Sequence, residues 1–551
     1  MRRIVKISFT VCFLFLYSCL SGVLAQTFTA ADTLMGSNTP ERACFDVLHY
    51  HLQMRFWVES KSVNAHNDIR FRVQTATQQI QLELVKNLKI DSVFLIKGFE
   101  KQKLSIMRQG RSFYVNFPQI LPQNSVQTVR VHYSGSPQIA KNPPWDGGFT
   151  WAKDKNNKPW AAVSCQGIGA SVWLPCKDYL GDEPDSVLLS YEAPNGLFVA
   201  SNGNLVQKET LADAHTRYTW AVSYPINPYG MSFVMGNLAH ISDTLELASG
   251  DMLPLDYYVL QQNKQKAEKH FQQSKKMLLI FEELFGPYPF PRDGFALLET
   301  PFWGMEHQSG IAYGNDYKNT PYGFDFIILH ESGHEYFGNS LSVSDNAELW
   351  IHESFTTYAE TMFLEKLSNP TTALNYLNGQ KTLIANKKPI VPPHFGVNYN
   401  YHDNDIYYKG AWMLHSIRTS LNNEPLWFEL IKSFVTEFAY SHLSTQQVID
   451  FFCQKTQKDL KPIFEQYLYQ AEIPELVVKI STKGKQAKLS YNWNAKVQSF
   501  NMPVRVYVGI PERELWLNAT NEVQEIQLTS LEAKHFRADL QNFLMLVKVS
   551  Q

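Results

Sequence analysis

"IILHESGHEYFGN" (residues 327–339) sets two histidines four positions apart, with a glutamate directly after the first. Each residue of an α-helix advances about 100°, so positions i and i+4 lie nearly above one another. On a helix, His330 and His334 would therefore aim their imidazoles at a single point, where one metal ion can bind both. Glu331 stands beside that face, able to reach a water at the same point without being a ligand itself. The preceding "FDFIIL" (324–329) is apolar and buries the other sides of the helix, and Gly338 is expected to end it. The bland alternative is coincidence: H-E-x-x-H fixes only three positions, and ordinary composition produces it in roughly a few per cent of chains this long. A third ligand decides between the two.

Zinc in a catalytic site takes three protein ligands and leaves a fourth position open. Downstream lies "ELWIHESFTTYAE" (348–360), where Glu353 follows His334 with 18 residues between them. That is enough for a loop and the start of a second helix. Leu349, Trp350, Ile351 and Phe355 surround Glu353 in sequence, so its carboxylate is expected to be buried, and buried carboxylates are paired or metal-bound. Glu360 stands seven residues later, two turns on and on the same face, placed to accept a hydrogen bond from a ligating histidine. The alternative for both is a solvated helix glutamate.

At 551 residues the chain exceeds what one core organises, so two to four domains are expected. Its 44% apolar and 13% aromatic content suits a globular protein, and a formal charge of -2 gives no case for binding nucleic acid. "MRRIVK", "ISFTVCFLFLYSCL" and "SGVLAQ" read as a basic start, a short apolar run and small residues before a cut after Ala25, an export signal. The alternatives are a membrane anchor or a lipid on Cys19. No later segment reaches the roughly 20 apolar residues of a membrane span. We therefore expect an exported chain, periplasmic or secreted. Of the remaining cysteines, Cys165 and Cys176 are either a pair or buried thiols.

Runs such as "YHLQMRFWV" (50–58) and "TVRVHYS" (128–134) alternate apolar and polar residues, the pattern of antiparallel strands. Residues 264–286 carry helical spacing and end at a glycine. Residues 322–470 read mainly as helices, and alternation returns after Pro474. The expected class is multidomain α+β. A signal at 1–25 precedes a β domain at 26–247, a mainly helical domain at 248–474 and a small β domain at 475–551.

His330, Glu331, His334 and Glu353 match the gluzincin pattern, and "LWIHESFTTY" resembles the W-L-N-E-G-F-A segment of the aminopeptidase N and leukotriene hydrolase family. His352 stands there for Asn and Ser354 for Gly. The resemblance implies one Zn2+, a thermolysin-like catalytic domain, a C-terminal β-sandwich and peptide substrates with a free N-terminus. "WGMEH" (303–307) resembles the family's G-A-M-E-N exopeptidase motif. Gly304, Met305 and Glu306 match it, while Trp303 and His307 replace Gly and Asn. The resemblance makes this an edge strand along the cleft, with Glu306 gripping the substrate's α-amine. Gln166, in "VSCQGIGASVWLPCKD", falls where the family places a second contact to that amine. "DIYYKGA" (405–411) resembles the family's Y-E-K-G-A. By that alignment Tyr407, not Tyr408, stabilises the oxyanion; the residues alone do not separate the two. The resemblance also leaves two other readings. One is an epoxide hydrolase with the same site, in which His402 would replace a participating tyrosine. The other is a non-catalytic exported binding protein of the same fold. The large C-terminal helical domain of many relatives has no counterpart in the texture after residue 475.

Overall fold

In the strands Phe45–Trp57 and Ser62–Val73 buried and exposed side chains alternate, because one sheet face is packed and the other is wet. They lie in the middle of an eight-stranded sheet in a computed structural model that describes residues 29–396 and 403–551. The expected export signal, Cys19 and His402 fall outside the described residues. Most strand pairs are antiparallel, as the alternation predicts. Phe45–Trp57 against Ser186–Pro194 is parallel. Alternation reports which face is buried and carries no information on a neighbour's direction. A three-stranded and a four-stranded sheet complete this β-rich unit.

A five-stranded sheet follows, in the order Leu238–Glu246, Met252–Leu260, Phe295–Glu299, Ile311–Tyr313, Gly304–Met305. Its first two strands form a hairpin that spans the boundary expected at 247/248. The break in sheet membership therefore falls before Leu238. Gly304–Met305 is the edge strand and pairs with Ala312 and Tyr313. The helix expected over 264–286 is two, Lys264–His270 and Gln273–Phe285. Between them the Ser274 hydroxyl donates to the Phe271 carbonyl at 2.7 Å.

The helical domain is built around Trp350–Leu367, in which every residue from Trp350 to Leu364 is buried. A helix apolar on only one side would not tolerate this; here Phe326–Gly333, Pro370–Gln380, Tyr408–Leu421 and Gln273–Phe285 all pack against it. After Tyr469 the chain forms two small sheets, of four and three strands. Their inward residues, among them Val478, Trp493 and Val506, join one continuous apolar cluster with the helices. Buried Lys409 donates to the carbonyls of Gln470 (2.9 Å) and Ala471 (2.7 Å), fixing the start of the Tyr408–Leu421 helix to that junction. Cys165 and Cys176 are separate buried thiols. No helix among the described residues is long and apolar enough to cross a membrane.

Candidate metal centre and substrate cleft

The histidine helix is short. It runs Phe326–Gly333 and stops there, not at Gly338, because Ser332 and Gly333 are poor helix formers at its end. His334 is its C-cap, and its aim is completed by the turn that follows, through Nδ1 to the Phe337 carbonyl at 2.8 Å. At the other end the Asp325 carboxylate caps Ile327 N–H (2.9 Å). It also receives Tyr313 Oη (2.8 Å) and pairs with His270 (2.7 Å). The helix is thus pinned where it enters the core.

His330 Nε2 and His334 Nε2 stand 3.2 Å apart, and Glu353 Oε2 lies 3.6 Å from the first and 3.4 Å from the second. Ligands about 2.0–2.1 Å from one ion at tetrahedral angles would be about 3.3 Å from each other. The triangle has zinc's dimensions. His330 Nδ1 lies 2.7 Å from Glu360 Oε1, and His334 Nδ1 faces Phe337 O, so each ring's proton sits on Nδ1. The two Nε2 lone pairs then face each other, and buried Glu353 Oε2 has no hydrogen-bond partner. Three acceptor atoms meeting in a buried spot require a cation, and these residues fit one zinc. Burial alone would raise the Glu353 carboxyl; when the two rings carry a second proton in place of a cation, His334 and His330 outweigh that burial and hold the group well below the usual carboxylate range.

Glu331 is buried beside the triangle, and that burial pushes its carboxyl up to about 8. Its neighbour on the edge strand must be small. A Cβ on Gly304 would stand 2.5 Å from Glu331 Oε1 and 2.8 Å from Ile327 Cγ2. Glu306, Glu331 and His334 place one ligand-type atom each within 4.8 Å of one another. Burial raises Glu306 as well. Gln166 Nε2 donates to Glu306 Oε1 and, at 3.1 Å, to Glu353 Oε1. The amide from the β-rich unit therefore bridges the amine-side glutamate and the would-be metal ligand. Asn339 holds Glu306 from behind, donating to its carbonyl at 3.1 Å. Met305 and Gly304 line the same cleft, as do Thr357, Tyr407 and Tyr408. The Tyr407 ring lies 6.2 Å from that of His330. The ionisable groups on the wall are four glutamates, two histidines and two tyrosines, with no lysine or arginine among the described residues there.

All ten residues singled out from sequence meet in this one cleft: His330, Glu331, His334, Glu353, Glu360, Glu306, Gly304, Met305, Gln166 and Tyr407. Several supporting groups have no sequence signal. Tyr376 donates to Glu360 Oε2 at 2.5 Å, and Thr356 Oγ1 lies 3.2 Å from His334 Nδ1. Ser354 donates to the Ile406 carbonyl at 2.6 Å, one residue before Tyr407. The opposing Gly410 makes room for it, since a Cβ there would overlap the Ser354 hydroxyl. Glu335, next to His334, is a structural carboxylate that accepts from Ser309 N–H and Tyr288 Oη at 3.0 Å each. His307 is buried and takes no part in the cleft wall.

Comparison with known proteins identifies the family. Residues 47–229 match the peptidase M1 N-terminal domain and residues 270–467 the peptidase family M1 domain. Aminopeptidase B of Rattus norvegicus is 19% identical over 79% of this chain and 70% of its own length. Puromycin-sensitive aminopeptidase of Caenorhabditis elegans is 22% identical over 84% of this chain, which spans only 51% of that relative. Among solved structures, an M1 zinc metallopeptidase from Deinococcus radiodurans superposes with a TM-score of 0.65 at 16% identity, over 80% of this chain and 96% of the other. A two-domain M1 zinc metallopeptidase bound to L-tryptophan gives 0.68 over 80% and 96%. At that identity the likeness shows the fold.

Proposed function

We infer that this chain, which belongs to the M1 peptidase family, is a zinc-dependent aminopeptidase that releases the N-terminal residue of peptides. The observation that carries the reading is the Glu306 carboxylate, fixed with His334 and Glu331 inside one 4.8 Å neighbourhood. A metal point with a base hydrolyses amides but does not choose a chain end. An acidic anchor one residue's length away does, because an α-ammonium docked on Glu306 leaves the first peptide bond at the metal point.

Bound by His330, His334 and Glu353, zinc supplies a Lewis acid that acidifies a water and polarises the scissile carbonyl. Glu331 accepts the proton of the attacking water and delivers it to the leaving nitrogen. Tyr407 donates its hydroxyl to the oxyanion of the tetrahedral intermediate. Glu306 and Gln166 hold the substrate amine, and Glu360 keeps His330 in the tautomer that presents Nε2. Four glutamates with no lysine or arginine among the described wall residues suit this cationic chain end and disfavour a polyanion such as nucleic acid.

The chain is exported, cut near Ala25, and works in the periplasm or outside the cell; the basic, apolar and small-residue segments of its first 26 positions support this. Amino-terminal sequencing of the protein from culture medium and periplasm tests that, with an intact or lipid-bearing terminus as the contrary result. The activity is tested with a series of free and N-acetylated peptides, with and without a chelator. Free peptides are expected to lose one residue at a time, acetylated ones to survive, and chelation to abolish turnover. Equal cleavage of blocked and free peptides would sink the reading.

A further inference from the structure

We propose that Trp303 and Trp145 clamp the side chain of the substrate's second residue, the first residue of the peptide released. The proposal rests on the aminopeptidase reading above and turns on direction. Glu306 marks the amine end, and Glu331 marks the leaving nitrogen. Gly304 is the strand residue pressed against Glu331 Oε1. Going backward along the chain, from Glu306 through the edge-strand residues Met305 and Gly304 to Trp303 just before them, the wall passes from the amine end to the scissile bond and then beyond it. Extended chains advance about 3.3 Å per residue, so a peptide lying alongside keeps step with the strand. What lies beside Trp303 is therefore the chain after the cut, not the residue before it.

The place is built to hold a flat apolar group. Trp303 and Trp145 are 44% and 40% exposed, although both line the cleft. Their ring centroids are 6.3 Å apart with planes inclined at 52°, one tryptophan from a loop of the β-rich unit and one from the catalytic domain. Trp303 is held rigidly from beneath. It stacks on Phe326 at 5.6 Å, and Phe326 stacks on His330 at 5.3 Å. The Trp303 indole N–H donates to Asn315 at 3.3 Å, and Asn315 donates to the helix-capping Asp325 at 2.9 Å. Half-exposed tryptophans locked in place offer a large contact at small entropic cost. With no lysine or arginine among the described residues of the wall, an acidic second residue finds no cation there.

The test compares initial rates on Ala-Phe-Gly, Ala-Leu-Gly, Ala-Asp-Gly and Ala-Gly-Gly with those on Phe-Gly-Gly, Leu-Gly-Gly and Ala-Gly-Gly. The wild-type holoenzyme is expected to favour Phe over Gly at the second position by about tenfold in kcat/KM. Trp303→Gly, and separately Trp145→Ala, should collapse that ratio to within about threefold while the Leu-to-Ala ratio at the first position holds. Trp145→Ala sits on an exposed loop and serves if Trp303→Gly does not fold. A second-position ratio that neither variant moves, or a first-position ratio that collapses instead, overturns the clamp. Failure of the wild type to release any first residue overturns the aminopeptidase reading beneath it.

Discussion

The metal half and the amine half of this cleft are built by different means. His330, His334 and Glu353 come from two packed helices of one domain, and their aim is set within about 30 residues of chain. Glu306 directly follows the two-residue edge strand Gly304–Met305, and Gln166 reaches it from another unit 140 residues away in sequence. The first arrangement follows from helix periodicity and local turns. The second exists only after the domains have met. A site can thus be robust in its chemistry and yet depend on assembly for its choice of substrate.

Changing one half and then the other sharpens that contrast. Glu331→Gln, in the metal half, should lower kcat by about 10³–10⁴-fold on every substrate while zinc stays bound, read by elemental analysis beside steady-state kinetics. More than a few per cent of residual turnover would contradict its role. Tyr407→Phe should cost about 10²–10³ in kcat with KM little changed; if Tyr408→Phe does so instead, the oxyanion donor is the neighbouring tyrosine. Glu306→Ala, in the amine half, should cost about 10²-fold in kcat/KM for free-amine substrates and little for acetylated ones, which separates end recognition from chemistry. Glu360→Ala should weaken zinc about 10–100-fold in competition with a chelator, because His330 loses the acceptor that fixes its tautomer. Gln166→Ala is expected to have the smallest effect, about tenfold and mainly in KM, since it removes one neutral donor from Glu306.

The same contrast explains what could be read in the sequence. H-E-x-x-H and the carboxylate 18 residues on are regular in sequence because helices make them so, and the triangle stands where the spacing put it. Glu306, Gln166 and Tyr407 were legible only by resemblance to known motifs, since nothing in their own surroundings marks them. Helix extent was misjudged at Gly338 because the second histidine is held by a turn, and turn geometry depends on contacts such as Phe337 O to His334. The expected edge at 247/248 cut a hairpin because both its strands alternate alike whichever sheet they join. Tyr376, Thr356 and Ser354 belong to packing, which single-chain spacing does not encode.

Gln166 has one further consequence. Its amide is bonded at once to the carboxylate that follows the edge strand and to one from the central helix, so it rivets the β-rich unit to the floor of the catalytic domain. A swing of one unit against the other would shear both bonds and carry Gln166 away from Glu306, while the three acceptors of the one domain stayed together. The enzyme is therefore expected to admit peptides through a fixed doorway rather than by opening and shutting like a jaw, with the residue that greets the incoming terminus also serving as the bolt.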